Sequence, residues 1–299
     1  MGKDLITIKR KLNAKHIFLV CIIAIIILVL PIFICNKIRL NKIKAENDKT
    51  AEKFYQMQQK IIQEKQEKVE KEKNKFNPLT SEELAKMEKI YSHSDVKRVF
   101  LTFDDGPTTT VTPFILDLLK QENIKANFFV LGLKAELNPT LVKREYDEGH
   151  FIGNHGYSHK YSQIYSGVDA LLDEYNKTNV LIRNATGNPN YNSLVFRFPG
   201  GSAGGYYNDM KKEARNKLKE MGIANVDWNA LTNDSDGAKT TEKIMKNFYD
   251  TVEDKTSVVL LMHDAADKIL TYETLPEIIK YFRENGYKFE TMYDVIGRE

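Results

Sequence analysis

Two contrasting patterns open the chain. From Ile17 to Cys35 the run IFLVCIIAIIILVLPIFIC carries no charged residue, and at about 1.5 Å of rise per residue it nearly spans the roughly 30 Å hydrocarbon layer of a bilayer. Residues 17–36 are expected to form a transmembrane anchor. The run exceeds the about 7 to 15 apolar residues of a signal peptide and ends in Phe33-Ile34-Cys35-Asn36 rather than at a small-residue cleavage site, so it is expected to stay uncleaved. From Lys44 to Asn77 the chain is rich in Lys, Glu and Gln and holds neither Gly nor Pro. That pattern predicts a continuous exposed helix supported by charge pairs, a stalk over residues 37–77. Tyr55, Ile62, Val69 and Phe76 recur every seven residues, yet Gln58 and Lys65 fill the complementary heptad position, so a coiled-coil seam is only half built. Weak self-association through the stalk is one expectation; a solvated spacer is the other.

After Pro78 the periodicity changes. Thr80-Ser81-Glu82-Glu83 has the form of a helix start, which places the boundary of a domain over residues 78–299. Apolar, β-branched or aromatic runs predict strands over 96–103, 126–130, 150–153, 195–197, 224–228 and 257–262. Helical spacing predicts helices between them, over 113–121, 139–148, 167–184, 210–221, 240–254 and 275–285. Alternating strands and helices over so long a stretch imply an α/β fold with a parallel barrel or sheet.

Charge sharpens the division. The net charge of +3 conceals +4 over residues 1–15, +3 over 16–43 and +2 over 44–75, which leaves −6 for 76–299. Basic character thus belongs to the membrane-proximal end, and no nucleic-acid surface is expected. Lysines and arginines flank both sides of the apolar run, so charge alone does not orient it; a cytoplasmic N-terminus (residues 1–16) is adopted because the chemistry below suits the cell exterior. Both cysteines, Cys21 and Cys35, lie within the apolar run, so the remaining chain can form no disulfide.

Polar chemistry gathers where the predicted strands stop. Five apolar runs end in reactive groups: Thr102-Phe103-Asp104-Asp105-Gly106, Asn154-His155-Gly156-Tyr157-Ser158-His159, Arg197-Phe198-Pro199-Gly200-Gly201, Asp227-Trp228-Asn229-Ala230 and Leu261-Met262-His263-Asp264. Singly, each has a structural reading, such as a turn for Asp-Asp-Gly or a core position for Trp228. In an α/β barrel, however, the carboxyl ends of the strands share one face, so the five groups are expected to converge. His155 and His159 then offer two imidazoles, and Asp105 a carboxylate, to one cation; two His and one carboxylate with an open position is a recognised metal arrangement. Asp104 remains free to act as a base.

In this combination and order the five segments resemble the NodB-homology polysaccharide deacetylases, carbohydrate esterase family 4, over roughly residues 97–299. The resemblance implies a distorted (β/α) barrel, a divalent ion that is usually zinc (with cobalt, nickel or manganese as alternatives), and hydrolysis of acetyl groups on sugars. Carried over by residue, it implies Asp104 as general base, Asp105, His155 and His159 as metal ligands, and Arg197 as the residue that orients Asp104. It further implies His263 as general acid held by Asp227, Trp228 and Leu261 as the lining for the acetyl methyl, and the Gly200 N–H as an oxyanion donor. Two positions depart from the family pattern: Gly156 stands where Ser or Thr often follows the first His, and Gly200 where an aromatic residue often follows Arg-x-Pro.

Topology points to the substrate. A single-pass domain tethered outside the membrane by a stalk reaches the wall polymer nearby, so peptidoglycan is the expected partner, with N-acetylglucosamine ahead of N-acetylmuramic acid. Deacetylation would expose amines and, as the family implies, hinder lysozyme-type hydrolases. An acetyl esterase acting on another polysaccharide and a non-catalytic wall-binding module are the competing readings.

Overall fold

The computed structural model describes residues 14–236 and 238–298. The chain divides into two compact units, the first ending at Val69 and the second beginning at Glu70. Helix α1 (Ala14–Asn74) runs for 61 residues with Pro31 inside it. Within α1 lies a stretch long and apolar enough to cross a membrane, with a mean hydropathy of 2.7. Phe18, Leu28 and Phe33 there are exposed, as are Tyr55 and Ile62 further along. Residues 1–13 of the expected cytoplasmic tail, and the side chain of Val69 in the expected heptad, lie outside what is described.

The second unit contains α2 (Ser81–Glu88), β1 (Arg98–Asp104), α3 (Thr112–Gln121), β2 (Asn127–Val130), α4 (Gly132–Leu137), α5 (Pro139–Asp147), β3 (Phe151–Asn154), α6 (Tyr161–Ile164) and α7 (Val168–Thr186). There follow β4 (Val195–Phe196), α8 (Asn208–Glu220), β5 (Ala224–Asn225), β6 (Ala230–Leu231), α9 (Thr241–Val252), β7 (Ser257–His263), α10 (Ile269–Glu284), β8 (Lys288–Phe289) and α11 (Met292–Ile296). Every strand pair is parallel. The order is β5-β4-β3-β2-β1-β7-β6, with β8 beside the start of β1. The sheet is thus a curled half-barrel, the expected distorted (β/α) architecture.

Strand parity decides what faces the inside. Successive side chains on a strand point to opposite faces. Val99, Leu101 and Phe103 of β1, Phe128 and Val130 of β2, and Val258, Leu260 and Met262 of β7 share one large core with Ile115, Leu119, Ile278 and Phe282 from the helices. The alternate residues Phe100, Phe129, Phe151, Val195 and Val259 form a second core. Continuing that second parity to the carboxyl ends gives Asp104, His155, Arg197 and His263. The apolar alternation that builds the core therefore also delivers four polar groups to one place.

Some elements differ from expectation. Phe76, read as the last rung of the stalk heptad, is 3% exposed and packs with its ring centroid 4.9 Å from that of Tyr191, so it belongs to the folded unit and not to a helical seam. The two-residue strands β6 and β8 carry no readable period. Helix α10 begins six residues before the predicted start and passes through Pro276.

Candidate active site

The metal-ligand geometry begins with backbone conformation. Asp105 and His159 both sit in the left-handed region, at φ 75° and 56°, an uncommon conformation for residues other than glycine and one that clusters at functional sites. Asp105 Oδ1 lies 3.5 Å from His155 Nε2 and 3.4 Å from His159 Nε2. Ligands held at about 2.0–2.1 Å around a tetrahedral ion stand roughly 3.4 Å apart, so the spacing fits a divalent cation. The same Oδ1 is buried and has no hydrogen-bond partner, an arrangement that is costly unless a positive charge accompanies it. His155 Nδ1 lies 2.8 Å from the Arg197 carbonyl oxygen. A carbonyl can only accept, so Nδ1 carries the proton and Nε2 keeps its lone pair. Burial holds the His155 imidazole down to about 3 despite the charge of Asp105, which keeps the ring neutral and able to ligate.

The loop carrying the histidines is braced from α7. Glu174 accepts from the Tyr157 and Ser158 amides at 2.9 and 3.1 Å and from the Ser158 hydroxyl at 2.6 Å. Asn154 Oδ1 accepts from the Gly156 amide at 2.9 Å. Gly156 has φ 78°, and a Cβ there would lie 2.6 Å from Ile164 Cδ1. A side chain at this position would be strained by the left-handed backbone and would have to displace the Ile164 side chain.

Asp104 differs in kind from Asp105. Its Oδ1 accepts from Arg197 Nη1 at 2.8 Å, while its Oδ2 stands 3.8 Å from His155 Nε2. Arg197 is fully buried, and its other donors reach Thr102 Oγ1 and the carbonyls of Val226 and Asp227 at 2.7 to 2.9 Å. Its guanidinium also lies 3.9 Å from the centroid of the Phe129 ring. A planar group fixed on every side orients one carboxylate oxygen and leaves the other toward the cavity. Burial raises the Asp104 carboxyl above its ordinary value, with the Arg197 charge opposing.

His263 pairs in register with Asp104 across β1 and β7. The expected partner, Asp227, does not hold it. His263 Nδ1 instead lies 2.8 Å from Asp234 Oδ1, the His263 amide donates to Asp234 Oδ2 at 2.8 Å, and the Thr271 hydroxyl donates to that same oxygen at 2.7 Å. A carboxylate only accepts, so Nδ1 donates and Nε2 is left for chemistry. Burial alone disfavours the imidazolium, yet the hydrogen bond and charge of Asp234, joined by Asp104 and Asp105, raise it to about 9. The Asp227 carboxylate serves elsewhere. It accepts from the Ser202 amide at 3.0 and 3.1 Å and from the Ser202 hydroxyl at 2.7 Å, and so ties down the turn after Arg197. Sequence reasoning misses Asp234 because Asp227-Trp228 already ends an apolar run; the turn-forming Asn233-Asp234-Ser235-Asp236, just after β6, repeats the same signal.

Asp104, Asp105, His155, His159, Asp234 and His263 line a cavity of ≈ 340 Å³ together with Tyr161, Gly200, Trp228, Leu231 and Leu261. The expected acetyl-pocket residues Trp228 and Leu261 and the expected donor Gly200 are thus all at its wall. Its charged lining among the described residues comprises Asp104, Asp105, Asp234 and Asp236 together with the His263 imidazole, and it includes no lysine or arginine.

Comparisons with known proteins place the chain in one family. A family model described as polysaccharide deacetylase matches residues 92–226, a span that takes in Asp104, Asp105, His155, His159 and Arg197 but ends before Asp234 and His263. The peptidoglycan-N-acetylglucosamine deacetylase PgdA of Listeria monocytogenes is 32% identical over 206 residues, 68% of this chain and 40% of that protein; the chain therefore matches less than half of that relative. A peptidoglycan-N-acetylglucosamine deacetylase of Bacillus cereus is 33% identical over 202 residues, 67% of this chain and 88% of the relative. Among solved structures, a CE4 esterase of Streptococcus mutans superposes with a TM-score of 0.63 at 30% identity, covering 72% of this chain and 92% of the other.

Proposed function

Starting from the fact that this chain belongs to the polysaccharide deacetylase family, carbohydrate esterase family 4, we propose that it hydrolyses the acetamido group of N-acetylglucosamine in peptidoglycan and releases acetate. Asp105, His155 and His159 would hold a divalent cation, zinc being the ion the family resemblance implies. The chemistry such a cation supplies when bound is Lewis acidity toward a water and the acetyl carbonyl.

The remaining work falls to the chain's own side chains. Asp104 Oδ2 takes a proton from the attacking water while Arg197 fixes Oδ1. His263 Nε2–H gives a proton to the departing amine, and Asp234 keeps the ring in the donating tautomer. The Gly200 N–H faces the developing oxyanion, and Trp228, Leu231 and Leu261 surround the acetyl methyl. The observation that carries this reading is the unpartnered Asp105 Oδ1 between two imidazole nitrogens, next to a second aspartate that a buried arginine keeps for itself.

N-acetylglucosamine is preferred over N-acetylmuramic acid because the relatives of Listeria monocytogenes and Bacillus cereus described above are peptidoglycan-N-acetylglucosamine deacetylases. The apolar stretch of α1 would anchor the protein in the cell membrane with the N-terminus cytoplasmic and the catalytic unit facing the wall; the exposed Tyr55 and Ile62 are the residues through which weak self-association would act.

The test is direct. The full chain in detergent micelles is incubated with purified muropeptides and zinc, and the products are examined by mass spectrometry. Loss of one acetyl group from the glucosamine residue is expected. Loss from the muramic residue would reverse the sugar assignment, and products of unchanged mass would overturn the activity.

A further inference from the structure

Gly200 lines the cavity, yet it has no side chain with which to meet a sugar. Its φ is 70°, and a Cβ added there would lie 2.3 Å from Tyr161 Oη and 3.0 Å from Tyr161 Cζ. The space that a side chain at position 200 would fill is already taken by the phenol of Tyr161.

Tyr161 reaches that place from the histidine loop, two residues beyond His159, and its ring centroid is 5.7 Å from that of His159. Behind it stands Tyr165, with centroids 5.6 Å apart. Tyr165 is buried, its hydroxyl donates to the Pro199 carbonyl at 2.6 Å, and it packs against Tyr207 at 5.3 Å. The wall behind Tyr161 is therefore firm, while Tyr161 itself is 42% exposed and lines the cavity. Among the described residues, no protein group is hydrogen-bonded to its hydroxyl.

We infer that Tyr161 determines substrate specificity by carrying the sugar ring of the N-acetylated unit, its face against the ring's C–H surface and its hydroxyl bonded to a sugar hydroxyl. An aromatic ring with a polar tip suits a ligand that is apolar on its faces and polar at its edges. Gly200 and Gly201, both at positive φ, leave the room that this placement requires. The inference rests on the deacetylase reading above and assigns the sugar-binding wall of that site to a residue outside the metal and acid–base set.

The experiment compares two substrates on the full-length protein with zinc: an oligomer of N-acetylglucosamine and a small aryl acetate that has no sugar. The ratio of kcat/KM for glycan to that for ester isolates the sugar contact. Tyr161→Ala is expected to lower this ratio by about 10- to 100-fold, chiefly through KM for the glycan. Tyr161→Phe, which keeps the ring and its packing, is expected to lower it by roughly 3- to 10-fold. A ratio within twofold of the wild type in both variants would overturn the inference. So would an equal loss on both substrates, since the ring would then be holding the His159 loop rather than the sugar. A wild-type protein that releases acetate from neither substrate would overturn the deacetylase reading itself, and this inference with it.

Discussion

On one side of the cavity Asp104, Arg197, His155 and His263 are buried, and each is fixed by backbone or by a second buried side chain. On the other side Tyr161 is partly exposed, and Gly200 and Gly201 contribute backbone alone. The first side is arranged for proton transfer, where a small displacement is costly. The second side is arranged for a polymer that must enter, bind and leave. The difference teaches that one fold can hold its chemistry rigidly while leaving substrate placement to a few replaceable side chains.

The largest loss is expected at Asp104. Asp104→Asn keeps the hydrogen bond with Arg197 available but removes the base, and kcat/KM on the glycan should fall by about 10²- to 10⁴-fold. Zinc binding measured by calorimetry should persist in this variant, because Asp104 is not among the three ligands; loss of the metal would erase the distinction drawn between the two aspartates.

Asp234→Asn should come next, with kcat reduced on the order of 10²-fold. It also tests the origin of the His263 shift. A general acid works while protonated, so activity persists below its pKa and fails as pH rises through it. Asp234 is what raises His263 to about 9, and removing that charge lowers the value, so the alkaline limb of the pH–rate profile should move to lower pH. A limb that stays in place would return the role to another residue.

Asp227→Asn should have the smallest effect, a change of less than about threefold in kcat with the alkaline limb unmoved, because it weakens only the bonds holding the Ser202 turn. A large shift of the limb here would restore the His263 partnership to Asp227.

Much of this is legible in the chain, and for identifiable reasons. The apolar runs of β1, β2 and β7 state their strands, and the rule that parallel strands end on one face gathers Asp104 and His263 at the same end; which face each side chain takes is not readable, because these strands are apolar on both faces. The order of the five polar segments carries the metal ligands. Asp234 stays hidden because β6 is two residues long, too short for a period, and because a nearer aspartate satisfies the same pattern. Phe76 stays hidden because a heptad position and a core position look alike in sequence. The meeting of Tyr161 with Gly200 depends on how two loops pack, and no local pattern encodes that.

One aspartate binds a cation while its neighbour does not, and crystals of the protein grown with zinc and measured at the zinc absorption edge distinguish the two. A single anomalous peak in contact with Asp105, His155 and His159, with the Asp104 carboxylate still on Arg197 and outside the coordination shell, is the predicted result. A peak bound by Asp104, or none between the two imidazoles, would overturn this division of roles.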